Sequence, residues 1–100
     1  MSLHAAAALL ELHVPDAQSL KEKRGVLVPL IASIRATFPV AVAEVDHQNT
    51  WQRSTVAVGF VAADAPTLES LIAAAVDHVD RSLEVDLVHT AVSYLEDPTS

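Results

Sequence analysis

The sequence predicts an α+β fold in which one antiparallel sheet of four strands carries two helices on a single face. Three observations predict it: alternating or β-branched apolar residues in four segments, helical apolar spacing in two others, and prolines or capping residues between them. The chain has 100 residues, of which 51% are hydrophobic and 19% are charged. A chain of this length can bury one modest core. We therefore expect a single domain over residues 1–100.

The first strand is predicted over residues 5–14, where apolar residues alternate with polar ones near the end, as in a half-buried strand. Ser19 and Glu22 have the spacing of a capping box and predict the start of the first helix. Apolar residues then recur at helical spacing until Pro39, which ends the pattern. The second helix is predicted to begin after Asp64, a residue type that is favoured as an N-cap.

The remaining strands are predicted over residues 40–46, 51–61 and 85–95. Residues 96–100 are expected to form a frayed tail. The order strand–helix–strand–strand–helix–strand is that of the ferredoxin-like βαββαβ fold, with strand order 4-1-3-2. Right-handed crossovers bring both helices to one face. The other face of the sheet is left open to solvent or to a partner.

The register of the central hairpin decides which side chains reach that open face. If the loop is 47–50, Asp46 lies opposite Trp51 and Glu44 lies opposite Arg53, which predicts an ion pair across the strands. This register turns three residues of the second strand toward the helices: Ala41, Ala43 and Val45. It places the following side chains on the open face: Val40, Val42, Glu44, Asp46, Trp51, Arg53 and Thr55.

Polar chemistry is concentrated in the hairpin segment 43–53, which contains two acids, a histidine, side-chain amides, the only tryptophan and an arginine. The predicted topology brings this segment beside the end of the first strand and the start of the first helix. We expect these sequence-distant residues to form one binding rim. Its candidate binding residues are His13, Lys21, Lys23, Arg24, Glu44, Asp46, His47, Gln48, Trp51 and Arg53.

The net charge of −7 is unevenly distributed along the chain. Residues 1–53 hold five acids and five bases, whereas residues 54–100 hold eight acids and Arg81 as their single base. Any phosphate contact must therefore come from the first half. Three bases in the opening turns of the first helix oppose the helix dipole, which is consistent either with an anionic partner or with a solvated charged face.

The composition excludes several function classes. The sequence has no cysteine, which excludes disulfides, thiol catalysis and cysteine-ligated metals. No apolar stretch is long enough to cross a bilayer and no basic secretory signal is evident, so we expect a cytoplasmic protein. No metalloprotease, phosphate-loop or nucleophile motif is present, so we expect no catalysis, no cofactor and no metal. A metal site or enzyme remains an alternative, with these candidate ligands: Glu11, His13, Asp46 and His47.

Three segments carry a resemblance to a known family: SLKEKR at 19–24, AEVDHQ at 43–48 and WQR at 51–53. Together they resemble the YlxP-like family of small bacterial proteins, and the likeness covers nearly the whole chain. The resemblance implies a ferredoxin-like fold and a cytoplasmic location. Members of that family are often encoded among genes for transcription elongation, translation initiation and ribosome maturation, which implies an association with such processes. It implies no catalytic residues. Gly25 and Pro29 depart from the family pattern of polar or basic residues at these positions, so the first helix carries fewer polar or basic side chains than that pattern.

These observations predict a non-catalytic accessory binding module associated with RNA, the ribosome or translation. Trp51 could stack on a base, and base edges could be read by Arg53 and by the amides of Gln48, Asn49 and Gln52. The bases of the first helix could meet phosphates. The alternative is a homo-oligomer, such as a homodimer, or a protein–protein interaction module that uses the open sheet face. The apolar strip predicted on that face comprises Leu9, Val40, Val42, Ala57 and Gly59.

Overall fold

A computed structural model describes residues 2–95, so the predicted frayed tail lies outside the described residues. The elements follow the predicted order: β1 His4–His13, α1 Leu20–Thr37, β2 Ala41–Asp46, β3 Arg53–Ala62, α2 Ala65–Asp80 and β4 Asp86–Leu95. The four strands form one antiparallel sheet in the order β2-β3-β1-β4. Read from its other edge this is 4-1-3-2, so the predicted ferredoxin-like fold is confirmed.

The core lies between the two helices and one face of the sheet. Alternate residues of β1 and β3 are buried there, as their spacing predicts: Ala6, Ala8, Leu10, Leu12, Val56, Val58 and Phe60. The helices supply a matching apolar face, which comprises Leu27, Leu30, Ile34, Leu68, Ile72, Ala75 and Val79. Burial of these side chains is the main stabilising contribution, and it fixes which face of β1 and β3 remains open.

Local capping explains where α1 begins. The Ser19 hydroxyl accepts a hydrogen bond from the backbone N–H of Glu22 at 3.1 Å. The Glu22 carboxylate reaches back and accepts from the backbone N–H of Gln18 at 2.6 Å. The first bond satisfies a donor that the first helical turn leaves free. The predicted cap at Ser19 is therefore observed, but Glu22 binds the residue before the N-cap, whereas a capping box would have it bind the N–H of Ser19.

The predicted register of the β2–β3 hairpin is wrong by three residues. Glu44 lies opposite Val56 instead of Arg53, and a bulge at Val45 separates this pair from the next. An odd shift turns a strand over, because successive side chains point to opposite faces. The side chains of Val42 and Glu44 therefore face the helices.

The loop length explains this error. β2 ends at Asp46 and β3 begins at Arg53, so the connection is 47–52 rather than 47–50. The observed register buries the branched side chain of Val42, and Val40 also packs against the core. The residues predicted to face the helices, Ala41, Ala43 and Val45, are instead exposed. Burying two branched side chains in place of alanines removes more apolar surface from water.

Asp64 caps α2, and its carboxylate accepts from the backbone N–H of Thr67 at 2.7 Å. Hydrogen bonds from the hydroxyl and the backbone N–H of Thr67 hold the pKa of Asp64 below its usual value. Because this carboxyl has a lower pKa in the folded protein than in the unfolded one, its ionised form stabilises the fold at pH values above the unfolded-state pKa of about 3.9. This contribution to stability is lost as the pH falls through the folded-state pKa. Asp64→Ala is therefore expected to destabilise the protein at neutral pH, and less so in acid.

Urea unfolding at neutral pH and at about pH 3 checks this pH dependence of Asp64. Asp64→Asn is the matched control, because an amide caps a helix without titrating. If the difference in the free energy of unfolding between the parent and Asp64→Ala stays constant with pH, the lowered pKa of Asp64 does not contribute to stability.

Candidate functional site

A buried lysine joins the start of α1 to the hairpin. Lys23 is the fourth residue of α1 and only 2% of it is exposed. Its Nζ lies 2.9 Å from Oε2 of Glu44 and donates to the backbone carbonyl of His47 at 2.5 Å. The same Glu44 oxygen accepts from the Ser54 hydroxyl at 2.6 Å. We call this network of Lys23, Glu44, Ser54 and the His47 carbonyl the Lys23 clamp.

The Lys23 clamp corrects two predictions. The Glu44–Arg53 ion pair is wrong, because the partner of Glu44 is Lys23. Lys23 does not belong to a solvated basic face, because its ammonium is buried and bound on two sides. The convergence of helix start and hairpin is nevertheless observed. It depends on an ion pair between the buried ammonium of Lys23 and the partly buried carboxylate of Glu44.

The hairpin loop has an unusual backbone at His47. Within residues 2–95, His47 is the only non-glycine residue with a positive φ, which is 60°. Histidine is among the residues that tolerate this left-handed region, at a cost of about 1–2 kcal/mol. Three hydrogen bonds hold the turn: the His47 N–H donates to the Asp46 carboxylate at 2.7 Å, and the His47 carbonyl accepts from Lys23 and from the Thr50 N–H.

A second anchor ties the hairpin loop to the connection between β1 and α1. The side-chain amide of Gln52 donates to the carbonyls of Pro15 and Ala17, at 3.3 and 3.1 Å. The backbone carbonyl of Gln52 accepts from the N–H of Val14 at 2.9 Å. The loop, the end of β1 and the start of α1 are therefore held together as one end of the sheet.

Sequence reasoning missed Ser54 at this end of the sheet, and it did not predict the anchoring role of Gln52, whose amide was expected to read base edges. A signal for Ser54 was present, because it occupies the core-facing position that precedes Val56 in the alternation of β3. A hydroxyl at such a position needs a buried partner. No comparable sequence signal marks Gln52, since its partners are backbone carbonyls distant in sequence.

A groove of about 360 Å³ lies between α1 and the hairpin loop. We call it the helix-side groove, and its lining includes Lys23, Arg24, Leu27, Glu44, Gln48 and Asn49. Arg24 and the two loop amides are exposed there. Lys21, also exposed, lies in the first turn of the same helix. This side of the rim therefore combines exposed cations with side-chain amides.

A smaller cavity of about 180 Å³ opens on the other face of the sheet. We call it the open-face pocket, and its lining includes Glu11, His13, His47, Arg53, Thr55 and Val88. His47 therefore contributes to both faces: its carbonyl accepts from the Lys23 clamp and its side chain lines this pocket. The Nδ1 atom of His13 lies 3.5 Å from a carboxylate oxygen of Asp86.

Trp51 lies in the same loop and is 53% exposed. It lines an open surface together with Asn49, Thr50 and Gln52. The predicted binding residues thus lie at one end of the sheet but on different sides of it. Lys21, Lys23, Arg24, Glu44 and Gln48 lie toward α1, His13 and Arg53 lie on the open face, His47 contributes to both, and Asp46 and Trp51 are exposed in or beside the hairpin loop.

Within residues 2–95, no group of three or more histidine, aspartate or glutamate residues is placed to hold a metal ion. None of the helices in this described part of the chain is long and apolar enough to cross a membrane.

The fold and this polar end define a small α+β protein of the ferredoxin-like type. Residues 6–92 match the family described as Protein of unknown function (DUF503), and the chain belongs to this family. It is similar to the uncharacterized protein YlxP of Bacillus subtilis (strain 168), with 29% identity over 79 residues. That match covers 79% of this chain and 86% of the relative. The predicted resemblance to the YlxP-like family is therefore confirmed.

Proposed function

We propose that this protein is a non-catalytic accessory module that binds single-stranded RNA in a ribosome- or translation-related process. The observation that carries the proposal is the exposure of Trp51 in a loop held in place by the Lys23 clamp and by Gln52. A large aromatic side chain that is half-exposed to solvent and held at a fixed position offers a stacking surface for an unpaired base. Such a surface needs bases that are not already stacked in a duplex.

The exposed cations near this loop suit a phosphate backbone. Lys21 and Arg24 are exposed at the start of α1, and Arg53 is exposed at the start of β3. None of the three forms an ion pair within residues 2–95. We assign the phosphate contacts to them and not to Lys23, whose ammonium is already bound.

The arrangement favours binding over catalysis. Glu44, a possible proton donor or acceptor by residue type, is already bound by the Lys23 ammonium and by the Ser54 hydroxyl. A general acid or base must instead reach the proton of a substrate. The clamp therefore supports a role for Glu44 in holding the loop.

A fluorescence anisotropy titration with a labelled single-stranded fragment of ribosomal RNA tests the proposal. With three phosphates contacted, affinity is expected to fall about 20-fold between roughly 50 and 200 mM salt. The double variant Lys21→Ala/Arg24→Ala should bind more weakly and show a shallower salt dependence. Arg81→Ala, which removes an exposed arginine that pairs with Asp77, is the matched control. Absence of binding at the lower salt concentration would refute RNA binding.

A second candidate function is self-association through the open sheet face. This face carries exposed apolar residues on three strands, Leu9, Val61 and Leu95, beside small alanines. The corrected register changes the predicted strip, since Ala41 and Ala43 replace Val40 and Val42 there. Exposed apolar residues gathered on one flat face are typical of an interface.

Sedimentation equilibrium at high protein concentration distinguishes this candidate. We expect the mass of a dimer for the parent and the mass of a monomer for Leu9→Lys, because a buried ammonium without a partner disrupts an apolar interface. Val28→Lys, which changes an exposed valine of α1, is the matched control. A monomeric parent would eliminate the homodimer.

A further inference from the structure

We propose that the open-face pocket binds a single guanine base. The inference rests on the proposed function, because the base would belong to an RNA strand bound at the adjacent loop. The pocket has a volume of about 180 Å³. This is below the roughly 300–1,000 Å³ of pockets for drug-sized ligands. It equals the volume that about six molecules occupy in liquid water. It therefore suits one small planar group.

Two charged side chains line this pocket without pairing with each other. Glu11 and Arg53 both line it, yet neither forms an ion pair within residues 2–95. Glu11 lies opposite Thr55 and Arg53 lies opposite His13 in the register of β1 and β3. The pocket therefore offers one ligand a carboxylate acceptor and the guanidinium of Arg53, whose five N–H donors can contact a base in the pocket as well as a phosphate beside it.

The hydroxyl of Thr55 adds a third polar group. Thr55 is only 6% exposed and lines the pocket, and its hydroxyl forms no side-chain hydrogen bond within the described residues. A ligand in the pocket could supply a hydrogen-bond partner to this hydroxyl, as polar groups with little access to solvent normally have one.

The charges around the pocket select against an anion. Glu11 lines it directly, and two further carboxylates, Asp86 and Asp46, lie beside its histidines His13 and His47. A phosphate or carboxylate inside would meet these like charges, which Arg53 alone does not balance. A neutral ring with both donors and acceptors avoids this repulsion.

Guanine matches the pair of Glu11 and Arg53 better than the other bases. Its Watson–Crick edge carries N1–H and N2–H donors that a carboxylate can accept together, and its O6 and N7 atoms accept from an arginine. Adenine and uracil each present an acceptor next to the donor that Glu11 would bind. Cytosine, like adenine, presents its amino group beside a ring nitrogen that is an acceptor. Guanine is therefore expected to bind more tightly than the other three bases.

The experiment is an NMR titration of the full chain with GMP, inosine monophosphate, AMP, CMP and UMP, followed at the side chains of His13 and His47. We expect GMP to bind at least about fivefold more tightly than AMP or UMP. Inosine monophosphate, which lacks the N2 amino group, should bind more weakly than GMP. Glu11→Gln should abolish the preference for GMP, and Glu84→Gln, an exposed acid outside the pocket, should preserve it.

The outcomes separate this inference from the proposed function. Equal affinity for all nucleotides, no shift of either histidine, or a GMP preference that survives Glu11→Gln overturns the guanine pocket. Each of these results is compatible with salt-dependent RNA binding through Trp51 and the cations. Selective GMP binding without any affinity for the RNA fragment supports the pocket and refutes the proposed function instead.

Discussion

Lys23→Ala is expected to lower the free energy of unfolding by about 3 kcal/mol. The substitution removes the ammonium that neutralises Glu44 and the donor that satisfies the His47 carbonyl. Breaking a buried ion pair from one side costs about 3–5 kcal/mol, since it leaves an uncompensated charge. The Glu44 side chain is 22% exposed, so water can partly solvate it, and the lower end of that range applies.

Urea unfolding followed by circular dichroism measures this loss, and three further variants isolate its cause. Lys23→Met keeps an apolar stem and removes only the charged group. Adding Glu44→Gln to Lys23→Met should recover part of the loss, because the carboxylate left without its partner is then neutral. Lys21→Ala, on the exposed side of the same helical turn, should change stability by no more than about 0.5 kcal/mol. If Lys23→Met proves as mild as Lys21→Ala, the clamp does not stabilise the fold.

The fold could be predicted from the sequence because its signals are local. The apolar alternation of β1 and β3 and the helical spacing after Ser19 each depend on residues close together in the chain. The caps at Ser19 and Asp64 use partners three residues away. Once the order of elements was known, few topologies remained, and the strand order followed.

The face of β2 could not be predicted in the same way. Its sequence offers an apolar face in either register, since Ala41, Ala43 and Val45 alternate with Val40 and Val42. The sequence alone argues against a register that turns Glu44 toward the core, because burying a carboxylate without a partner costs free energy. That partner, Lys23, is distant in sequence and meets Glu44 only in the folded protein. The register therefore depends on a long-range ion pair and on a bulge, neither of which has a local signal.

The location of the candidate site could be predicted from the sequence, but the arrangement of its residues could not. Topology alone brings the hairpin loop beside the start of α1, so the end of the sheet that carries the polar residues was foreseeable. The position of His47 between the two faces was not, because it depends on the left-handed backbone of this residue. This conformation lets His47 accept from Lys23 with its carbonyl while its side chain lines the open-face pocket.

Trp51→Ala is expected to weaken binding of the single-stranded RNA fragment by roughly 5- to 150-fold at low salt. Stacking of a base on an aromatic side chain contributes about 1–3 kcal/mol, and alanine provides no such surface. Trp51→Phe should retain most of the affinity because it keeps an aromatic face. In the parent, fluorescence of this single tryptophan should change on binding, since a stacked base would cover the exposed ring.

Two features separate stacking by Trp51 from a general effect of removing an aromatic side chain. Tyr94→Ala is the matched control, because Tyr94 is 54% exposed, as Trp51 is, but lies near the end of β4, opposite Ala6 of β1. It should leave RNA affinity unchanged. The salt dependence of Trp51→Ala should equal that of the parent, because indole carries no charge and releases no counterion. An affinity unaffected by Trp51→Ala, or reduced equally by Tyr94→Ala, would remove stacking from the proposed mode of RNA binding.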